Sequence, residues 1–399
     1  MMRVKLTHVE GSRLPWTALC IASSQPNEKE VRTMRFEWRM QERGRSHYAK
    51  TREGKEECRL PKLYRVAILG CGISGLASAT ALQEKFNDLQ ITIIAEKFSP
   101  NLVSDIAGGY ISPYLVSGDK SKIYRWTKDT MDQIERFMKE KPNGGAGEMS
   151  GFTFLHGDEY DPNEPIPFWA PIMKHFTVLT PEEVMRRSPK AKAGYFFTTY
   201  YIQPTLYMDH LMKKFLENGG KIEGRKVDSF EQITGYDLII NCTGLNAHSV
   251  LKDKDLHPIR GQIIRYKCDG FMHFYNDGDT YILPNRDFLV IGGTKDRHKW
   301  ETELDDNVAK KLLENAFKTA PQLKNGQILS HHIGLRPARS EIRIEAESLP
   351  SGQMVVHNYG HGGSGICLHW GCALDVANLV ENIRHSSYNS SSRPVLSKL

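Results

Sequence analysis

The sequence lacks several features that would place it in a common class of protein. None of its hydrophobic runs approaches the roughly 18 residues of a transmembrane helix. Its seven cysteines include no CxxC pair with a matching second pair, so we expect no zinc or other metal site. Their odd number and scattered positions are typical of free thiols in a reducing compartment. The composition, 40% hydrophobic and 25% charged, is that of a soluble globular protein.

The body of the chain also lacks an excess of charge of one sign. Residues 1–65 carry 15 Lys and Arg against 8 Asp and Glu, whereas the remainder carries 38 against 39. A nucleic-acid-binding face needs a local basic cluster, and the body shows none. We therefore expect neither nucleic acid nor a membrane as a partner. With 399 residues the chain is long enough for one or two domains.

The first ordered segment has the pattern of a βαβ unit. Short apolar strands are predicted over Val66–Leu69 and Gln90–Ala95, with a helix over Ile73–Phe86 between them. Further elements follow from apolar periodicity and glycine or proline boundaries. These are helices at Ile123–Lys141, Leu206–Asn218, Asp305–Thr319 and Gly371–Arg384, and strands at Asp237–Asn241, Tyr281–Pro284 and Phe288–Ile291.

The turn between the first strand and its helix carries three glycines with the spacing of a dinucleotide site. Gly70 allows a tight turn, Gly72 lets the backbone approach a pyrophosphate, and Gly75 lets helix and strand pack closely. The helix N-terminus offers N–H donors to phosphate. Glu96 ends the second strand about twenty residues later, where a carboxylate accepts ribose hydroxyls. Its charge disfavours the 2′-phosphate of NADP.

Later segments favour FAD over NAD, because a larger and tightly held flavin requires more of the chain to return to it. Asp237–Gly244 is a strand ending in Thr-Gly, and the small residues of Ser104–Tyr110 can pass close to a flavin. Gly360–Gly365 leads into a helix, whose N-terminus would stabilise negative charge on a reduced flavin. Each segment alone also fits an ordinary glycine-rich turn. Together with Gly70–Glu96 they predict an FAD site.

Residues 1–62 are unlike the rest of the chain, being polar and Arg-rich without a sustained period. A targeting presequence is one interpretation, but the run Leu14–Ala22 is too short and too polar for a signal peptide. The favoured interpretation is a disordered extension or a start codon placed too far upstream. A dinucleotide-binding fold normally begins near its first strand, so the functional chain is expected to start at or after Met34.

Two C-terminal motifs resemble the D-amino-acid oxidase and D-aspartate oxidase family. They are Gly334–Arg339 with Ile342–Glu345, and His357–Ile366 with His369–Gly371. The resemblance covers residues 64–399 and has no counterpart for the first sixty-odd residues. Shorter supporting blocks are Ala107–Tyr110 followed by Pro113 and Tyr114, Asn241–Gly244, and Arg260–Gln262.

The resemblance implies an α/β fold, a Rossmann-type FAD-binding domain with an interleaved β-rich substrate-binding domain. The flavoenzyme would span residues 63–399, with a flexible tail at 386–399 that carries a targeting signal. The expected FAD-binding segments are roughly 64–115, 205–250 and 330–385, and the expected substrate-domain segments are roughly 116–204 and 255–329.

The resemblance also implies a mechanism. Arg336 would clamp the substrate α-carboxylate bidentately, Tyr281 would donate its hydroxyl to the same carboxylate, and the carbonyl near Gly363 would receive the amine. The Cα hydrogen then faces flavin N5 and leaves as hydride, so no catalytic side-chain base is needed. Oxygen reoxidises the flavin to give hydrogen peroxide, and the imino acid hydrolyses to a 2-oxo acid and ammonia. His361 and His369 are interpreted as structural.

FAD is expected to bind non-covalently, in contact with residues of the glycine turn, the second strand end, the small-residue run and the C-terminal helix start. Arg339 and Arg343 are interpreted as structural or flavin-side residues. The predicted cofactor-binding residues are Gly70, Gly72, Ile73, Ser74, Gly75, Glu96, Lys97, Ser104, Asp105, Gly109, Val227, Thr243, Gly362, Gly363, Ser364, Gly365, Ile366 and Cys367.

Lys295 bears on the choice of substrate. D-aspartate oxidases typically have an arginine at the matching position that binds the side-chain carboxylate, whereas D-amino-acid oxidases have an apolar residue. A second arginine of the aspartate enzymes appears as Asn276. We expect acidic substrates, D-Asp and D-Glu, with neutral D-amino acids as the alternative. A glycine or sarcosine oxidase-like enzyme, an NAD-dependent dehydrogenase and a catalytically silent flavin-binding scaffold are further alternatives.

The chain ends in Ser397, Lys398 and Leu399, the peroxisomal address that an import receptor reads from an exposed end. A peroxide-producing oxidase belongs beside catalase, so the signal and the predicted chemistry support each other. We expect a location in the peroxisomal matrix. The expected partners are a D-amino acid, O2 and the import receptor, and both a monomer and a homodimer fit the sequence.

Overall fold

The computed structural model describes residues 49–50, 56–57 and 63–391. The chain divides into two compact units, Met1–Lys62 and Leu63–Leu399. In the first unit, Ala49–Lys50 (β1) pairs antiparallel with Glu56–Glu57 (β2). The rest of residues 1–62, which the sequence predicts to be disordered, lies outside the described residues. The predicted targeting signal at Ser397–Leu399 also lies outside them.

A single 14-stranded sheet runs through the second unit. Its strands are β3 Tyr64–Leu69, β4 Leu89–Ala95, β5 Ala146–Leu155, β6 Lys174–Val178, β7 Ala193–Ile202, β8 Lys221–Gly224, β9 Leu238–Asn241, β10 His257–Lys267, β11 Phe274–Asp277, β12 Thr280–Pro284, β13 Leu289–Gly292, β14 Asp296–Arg297, β15 Gln327–Ser348 and β16 Met354–His361. The order is β6-β7-β5-β11-β12-β13-β10-β15-β16-β9-β3-β4-β8, with β14 paired to β10.

The helices cover this sheet. They are α1 Ile73–Lys85, α2 Val103–Ile106, α3 Lys120–Glu140, α4 Pro181–Arg187, α5 Pro204–Glu217, α6 Ala247–Leu251, α7 Asp306–Thr319 and α8 Gly365–Ser391. Within residues 63–391, none of them combines the length and apolarity needed to cross a membrane.

One half of the sheet is parallel, as the βαβ pattern predicts. Strands β8, β4, β3, β9 and β16 all run in the same direction. Val66, Ile68 and Leu69 are buried, and a continuous apolar run suits a strand covered on both faces. Leu69 is level with Ile94 in β4 and with Asn241 in β9. The residues that follow these three strands therefore meet at one edge of the sheet.

The long strand β15 joins this half to the other half of the sheet. Its first half pairs with β10, and after Ala338 it pairs with β16. The strands beyond β10 are mostly antiparallel, apart from the parallel pair β5 and β11. These strands come from the two segments 116–204 and 255–329 that flank α5, β8 and β9 in sequence. The predicted α/β fold with an interleaved β-rich domain is therefore confirmed, and its two halves share one sheet.

The last helix is longer than the sequence predicts. It begins at Gly365 instead of Gly371 and continues to Ser391, through residues expected to be flexible. Its first turns bury Ile366, Leu368 and Trp370, and this packing extends the helix toward the glycine run that precedes it. No proline interrupts the segment, so the polar residues after Arg384 continue the backbone hydrogen bonding.

Candidate active site

A cavity of about 550 Å³ opens at the edge where the parallel strands end and reaches into the antiparallel half. At one end, which we call the nucleotide end, it is lined by the glycine turn, Glu96 and Val227. At the other, which we call the substrate end, it is lined by Tyr110, Tyr114, Asn276, Tyr281 and Arg336. The fold thus brings residues from distant parts of the chain to one continuous site.

The glycine turn at the nucleotide end leaves no room for side chains. Gly70 has a φ of +100°, and a Cβ there would overlap the carbonyl oxygen of Cys242. A Cβ at Gly75 would overlap the carbonyl oxygen of Gly70, so the helix and the preceding strand are in close contact. Gly72 is the N-cap of α1 and provides no side-chain cap. The N-terminus of α1 therefore faces the cavity, where an anion would be favourable.

Orphaned polar atoms in the middle of the cavity indicate a polar occupant. Asn358 Oδ1 and His361 Nε2 are buried, belong to cavity-lining residues and have no hydrogen-bond partner among the described residues. A Cβ at Gly362 would overlap the carbonyl oxygen of Leu115, and one at Gly363 would lie 2.7 Å from that of Tyr114. A flat cofactor with many hydrogen-bonding groups fits this lining, and FAD is such a group.

The thiols beside this part of the cavity are not activated. Burial raises the pKa of Cys71 to about 12, and burial likewise raises the pKa of Cys242 to about 12. Both cysteines line the cavity, and both are protonated at neutral pH. Since the thiolate is the nucleophilic form, neither side chain is suited to forming a covalent bond with a cofactor.

Arg336 and Tyr281 lie together at the substrate end. Arg336 Nη1 donates to the carbonyl oxygen of Thr294 over 3.1 Å. Its guanidinium lies over Gly261, where a Cβ would overlap it. The ring of Tyr281 occupies the space that a side chain at Gly292 would fill. The glycines on neighbouring strands therefore hold these two side chains in place, as binding of a carboxylate requires.

Two further tyrosines at this end were given no site role by the sequence. Tyr114 packs edge-on against Tyr281, with ring centroids 6.4 Å apart. The hydroxyls of Tyr110 and Tyr114 are buried and make no well-aligned hydrogen bond with a described residue, although that of Tyr110 lies beside Ser112, Thr153 and Asn276. Burial raises the pKa of each well above its ordinary value, so both remain neutral donors. The sequence signal that could have indicated a site role is that both tyrosines belong to the supporting block Ala107–Tyr110 with Pro113 and Tyr114.

Lys295 is placed differently from the expectation. Its Nζ lies 3.1 Å from Glu159 Oε1, 3.6 Å from Asp279 Oδ1 and 3.5 Å from the carbonyl oxygen of Gly278. It does not line the cavity that contains Arg336 and Tyr281. The two carboxylates account for this position, because their charges attract the ammonium group. The preceding residue, Thr294, contacts Arg336 through its backbone carbonyl oxygen.

Four predicted cofactor residues support the cavity wall without lining it. Gly75 packs on the turn, as described above. Buried Asp105 accepts from Ser99 Oγ (2.6 Å) and the Leu102 amide (2.9 Å), so it orders the loop before α2. Ser364 Oγ donates to the carbonyl oxygen of Tyr114 (2.9 Å). Cys367 Sγ lies 3.8 Å from Thr127 Oγ1, inside the core. Direct contact of these four residues with FAD stays a prediction.

The remaining predicted residues do line the cavity. They are Gly70, Gly72, Ile73, Ser74, Glu96, Lys97, Ser104, Gly109, Val227, Thr243, Tyr281, Arg336, Gly362, Gly363, Gly365 and Ile366.

No group of three or more His, Cys, Asp or Glu that could hold a metal ion occurs among the described residues.

The two histidines of the C-terminal motif are neutral. Burial lowers the pKa of His361 and of His369 to about 4. His369 Nδ1 lies 2.7 Å from the carbonyl oxygen of Ile366, which can only accept, so Nδ1 carries the proton. Nε2 then accepts from the Tyr207 hydroxyl over 3.1 Å. His369 is thus a satisfied core residue, whereas His361 lines the cavity.

Comparisons with known proteins agree with this geometry. The family model described as DAO, FAD dependent oxidoreductase, matches residues 65–379. A D-amino acid oxidase of Dugesia ryukyuensis is 33% identical over 80% of this chain and 98% of its own length. A D-aspartate oxidase of Homo sapiens is 30% identical over 81% of this chain and 96% of its own.

Solved structures share the fold. Glycine oxidase from Geobacillus kaustophilus has a TM-score of 0.67 at 18% identity and covers 80% of this chain and 95% of its own. L-proline dehydrogenase from P. horikoshii has a TM-score of 0.66 at 17% identity and covers 81% and 94%. At these identities the likeness concerns the fold alone.

Proposed function

The chain belongs to the DAO family of FAD dependent oxidoreductases, and from that premise we propose that it oxidatively deaminates D-amino acids with molecular oxygen. The observation that carries the proposal is the position of Arg336 and Tyr281 at one end of the cavity whose other end contains the glycine turn. An amino acid oxidase needs a carboxylate-binding group next to its flavin. Relatives named D-amino acid oxidase and D-aspartate oxidase support the D configuration.

The protein groups act by positioning. The guanidinium of Arg336 binds the α-carboxylate, and the hydroxyl of Tyr281 donates to the same group. The carbonyl near Gly363 accepts from the substrate amine. These contacts fix the Cα hydrogen in one direction, so the rate gain comes from orientation rather than from a side-chain base. FAD, when bound, accepts the two electrons and passes them to O2.

Non-covalent binding of FAD is part of the proposal. The raised pKa values of Cys71 and Cys242 support it, because neither thiol forms a thiolate at neutral pH. Denaturing the purified protein with acid and separating the pellet tests this directly. All the flavin is expected in the supernatant as FAD, and flavin retained in the protein pellet would contradict non-covalent binding.

The side-chain class of the substrate has two candidates. Uncharged side chains are favoured by the neutral hydroxyls and amide at the substrate end. Acidic side chains, which the sequence predicts, are favoured by one observation: Lys295 directly follows Thr294, whose carbonyl contacts Arg336. An acidic substrate would have to draw the Lys295 ammonium away from Glu159. That exchange would place a second cation beside the α-carboxylate site.

Peroxide release is the first test of the proposed function. The flavin-loaded protein is assayed with D-Asp, D-Glu, D-Ala and D-Met, with the L-enantiomers and with glycine and sarcosine. We expect peroxide from D-amino acids and none from the L-enantiomers, together with bleaching of the flavin absorbance under anaerobic conditions. A preparation without flavin absorbance would point to a dehydrogenase. Bound flavin without turnover of any substrate would point to a catalytically silent flavin-binding scaffold. Turnover of glycine or sarcosine alone would point to a glycine or sarcosine oxidase-like enzyme.

We also propose that the protein is imported into peroxisomes. The sequence ends in Ser397, Lys398 and Leu399, and containing the peroxide beside catalase suits the proposed chemistry. A fluorescent protein fused to the N-terminus should colocalise with a peroxisomal marker. Deleting Leu399 should leave the fusion in the cytosol. Unchanged localisation after this deletion would contradict the proposal.

A further inference from the structure

We propose that the substrate end of the cavity recognises an uncharged, hydrogen-bonding side chain, best a carboxamide, through Tyr110 and Asn276. This inference rests on the proposed function and names the substrate class of the same site. It follows from two of the side chains that line the pocket beyond Arg336 and Tyr281, and from the charges that are missing there.

Tyr110 offers a buried hydroxyl that is ready to bind. Its Oη is buried beside the polar side chains of Ser112, Thr153 and Asn276, but none of them makes a well-aligned hydrogen bond with it. The ring packs against Phe274, with centroids 5.0 Å apart. A buried hydroxyl whose hydrogen bonds are poorly aligned is costly, so a ligand that forms a well-aligned hydrogen bond with it gains affinity. Tyr110 lines the cavity, which makes a bound ligand the available partner.

The backbone holds Tyr110 firmly. The amide of Ile202 donates to the carbonyl oxygen of Gly109 over 2.9 Å, and the amide of Ile111 donates to that of Tyr200 over 3.1 Å. Gly109 has a φ of +74°, and a Cβ there would overlap the carbonyl oxygen of Ile202. The segment is therefore fixed against β7, and little conformational entropy is lost when the hydroxyl binds a ligand.

Asn276 brings a second polar group to the same place. It lies directly opposite Tyr281 in the antiparallel pair β11 and β12, so the two side chains share one face of the sheet. Its Nδ2 donates to Thr153 Oγ1 over 3.3 Å, which orients the amide. Asn276 lines the cavity. A substrate whose α-carboxylate is bound by Arg336 and Tyr281 therefore extends its side chain toward Asn276 and Tyr110.

The charges of the lining disfavour a carboxylate at this position. Of the cationic side chains that line the cavity within residues 63–391, three lie with Glu96 at the nucleotide end, and Arg336 alone lies at the substrate end. Arg336 is used by the α-carboxylate. The ammonium group of Lys295 does not line the cavity and is paired with Glu159 and Asp279. A second carboxylate in the pocket would lose its hydration without gaining a cation.

The hydrogen-bonding capacity distinguishes the remaining classes. A tyrosine hydroxyl and an asparagine amide can each donate and accept. A carboxamide side chain also donates and accepts, so it can use both groups. A carboxylate can only accept, and an aliphatic side chain leaves the Tyr110 hydroxyl unsatisfied. A pocket that hydrogen-bonds its substrate discriminates strongly against an isostere that lacks the polar group.

The test compares three substrates of nearly the same shape. D-Asn, D-Asp and D-Leu differ in the polarity and charge of the side chain, and kcat/KM is measured for each with the flavin-loaded enzyme. We expect D-Asn to exceed D-Leu and D-Asp by about tenfold or more. In Tyr110→Phe the ratio of D-Asn to D-Leu should fall about tenfold, mainly through KM for D-Asn.

A matched control separates recognition from folding. Tyr64→Phe removes a tyrosine hydroxyl at the start of β3, at the opposite end of this strand from the cavity, where it donates to the carbonyl oxygen of Asp237 over 3.5 Å. This variant should keep the wild-type substrate ratios. Tyr110→Phe removes a hydroxyl that makes no well-aligned hydrogen bond, so its melting temperature should stay close to that of the wild type. A recognition role therefore changes the ratio without lowering stability.

The possible outcomes are distinguishable. Equal rates with D-Asn and D-Leu would overturn the polar pocket and leave D-amino acid oxidation intact. Preference for D-Asp would overturn it in favour of a role for Lys295. An unchanged ratio in Tyr110→Phe would remove Tyr110 from the pocket. Failure with every D-amino acid would overturn the proposed function itself.

Discussion

Arg336 is the residue on which every substrate depends, because all amino acids share the α-carboxylate. In Arg336→Leu the loss of a charge-assisted hydrogen bond of about 1.5–3 kcal/mol should raise KM by roughly 10- to 100-fold. Arg336→Lys keeps the charge but loses the bidentate fork, so its KM should lie between that of the wild type and that of Arg336→Leu. Steady-state kinetics with several D-amino acids checks this. A variant that loses activity toward one substrate only would show that Arg336 binds the side chain instead.

Glu159 decides where the charge of Lys295 acts. Its carboxylate is half exposed, and it pairs with an ammonium group that is 24% exposed. In Glu159→Gln the attraction is weakened by up to about 1 kcal/mol, and Lys295 becomes available to a substrate carboxylate. The kcat/KM ratio of D-Asp to D-Ala should rise by up to about fivefold.

Two controls accompany the Glu159 prediction. Glu314→Gln removes an exposed carboxylate from α7, outside the cavity lining, and should not change the ratio. The double variant Glu159→Gln with Lys295→Met should return the ratio to the wild-type value. If the double variant keeps the gain, the effect comes from the removed carboxylate and not from Lys295.

At the scale of elements, the contact between α1 and β3 depends on Gly75. A Cβ there would overlap the Gly70 carbonyl oxygen, which is backbone and cannot rotate away. Gly75→Ala should therefore displace the helix and cost about 1–3 kcal/mol. We expect a lower melting temperature and weaker FAD retention on gel filtration. Gly224→Ala is the matched control, because only Phe98 lies near its Cβ, at 3.9 Å. Equal effects of the two substitutions would contradict the close-packing argument.

The elements that the sequence predicts well are those with local signals. The βαβ unit, α3, α5 and α7 show apolar periodicity and end at glycine or polar caps, and their observed bounds agree within a few residues. Asp119 illustrates such a signal, since its side chain accepts from the amides of Ser121 and Lys122 at the start of α3. The long strand β15 was missed, because its partner changes from β10 to β16 within one strand. No local pattern encodes that change.

At the scale of the whole molecule, the two ends of the cavity differ in how far sequence could predict them. The nucleotide end is built largely from one contiguous motif, so its glycines and Glu96 were predictable. The substrate end combines Tyr110, Asn276 and Arg336 through the sheet order, including the parallel pairing of β5 with β11. Lys295 shows the consequence. Its position depends on Glu159, which is 136 residues away along the chain, and pattern alone could not supply that contact.

The buried neutral histidines make the stability of the whole molecule depend on pH. The unfolded chain titrates its histidines near a pKa of about 6.5, whereas the pKa values of His361 and His369 in the folded protein are about 4. Between these values the unfolded state binds more protons, so the free energy of unfolding falls as pH is lowered. The loss is about 1.4 kcal/mol per pH unit for each histidine.

Urea unfolding between about pH 7 and pH 5 measures this slope. His369→Gln removes one titrating group while retaining an amide that can donate to the Ile366 carbonyl oxygen. The variant should be less stable at neutral pH, but its free energy of unfolding should fall less steeply toward pH 5. The slope is the informative quantity, because a loss of packing alone shifts the whole curve without changing its pH dependence. Parallel curves for the two proteins would show that His369 is not held neutral by burial.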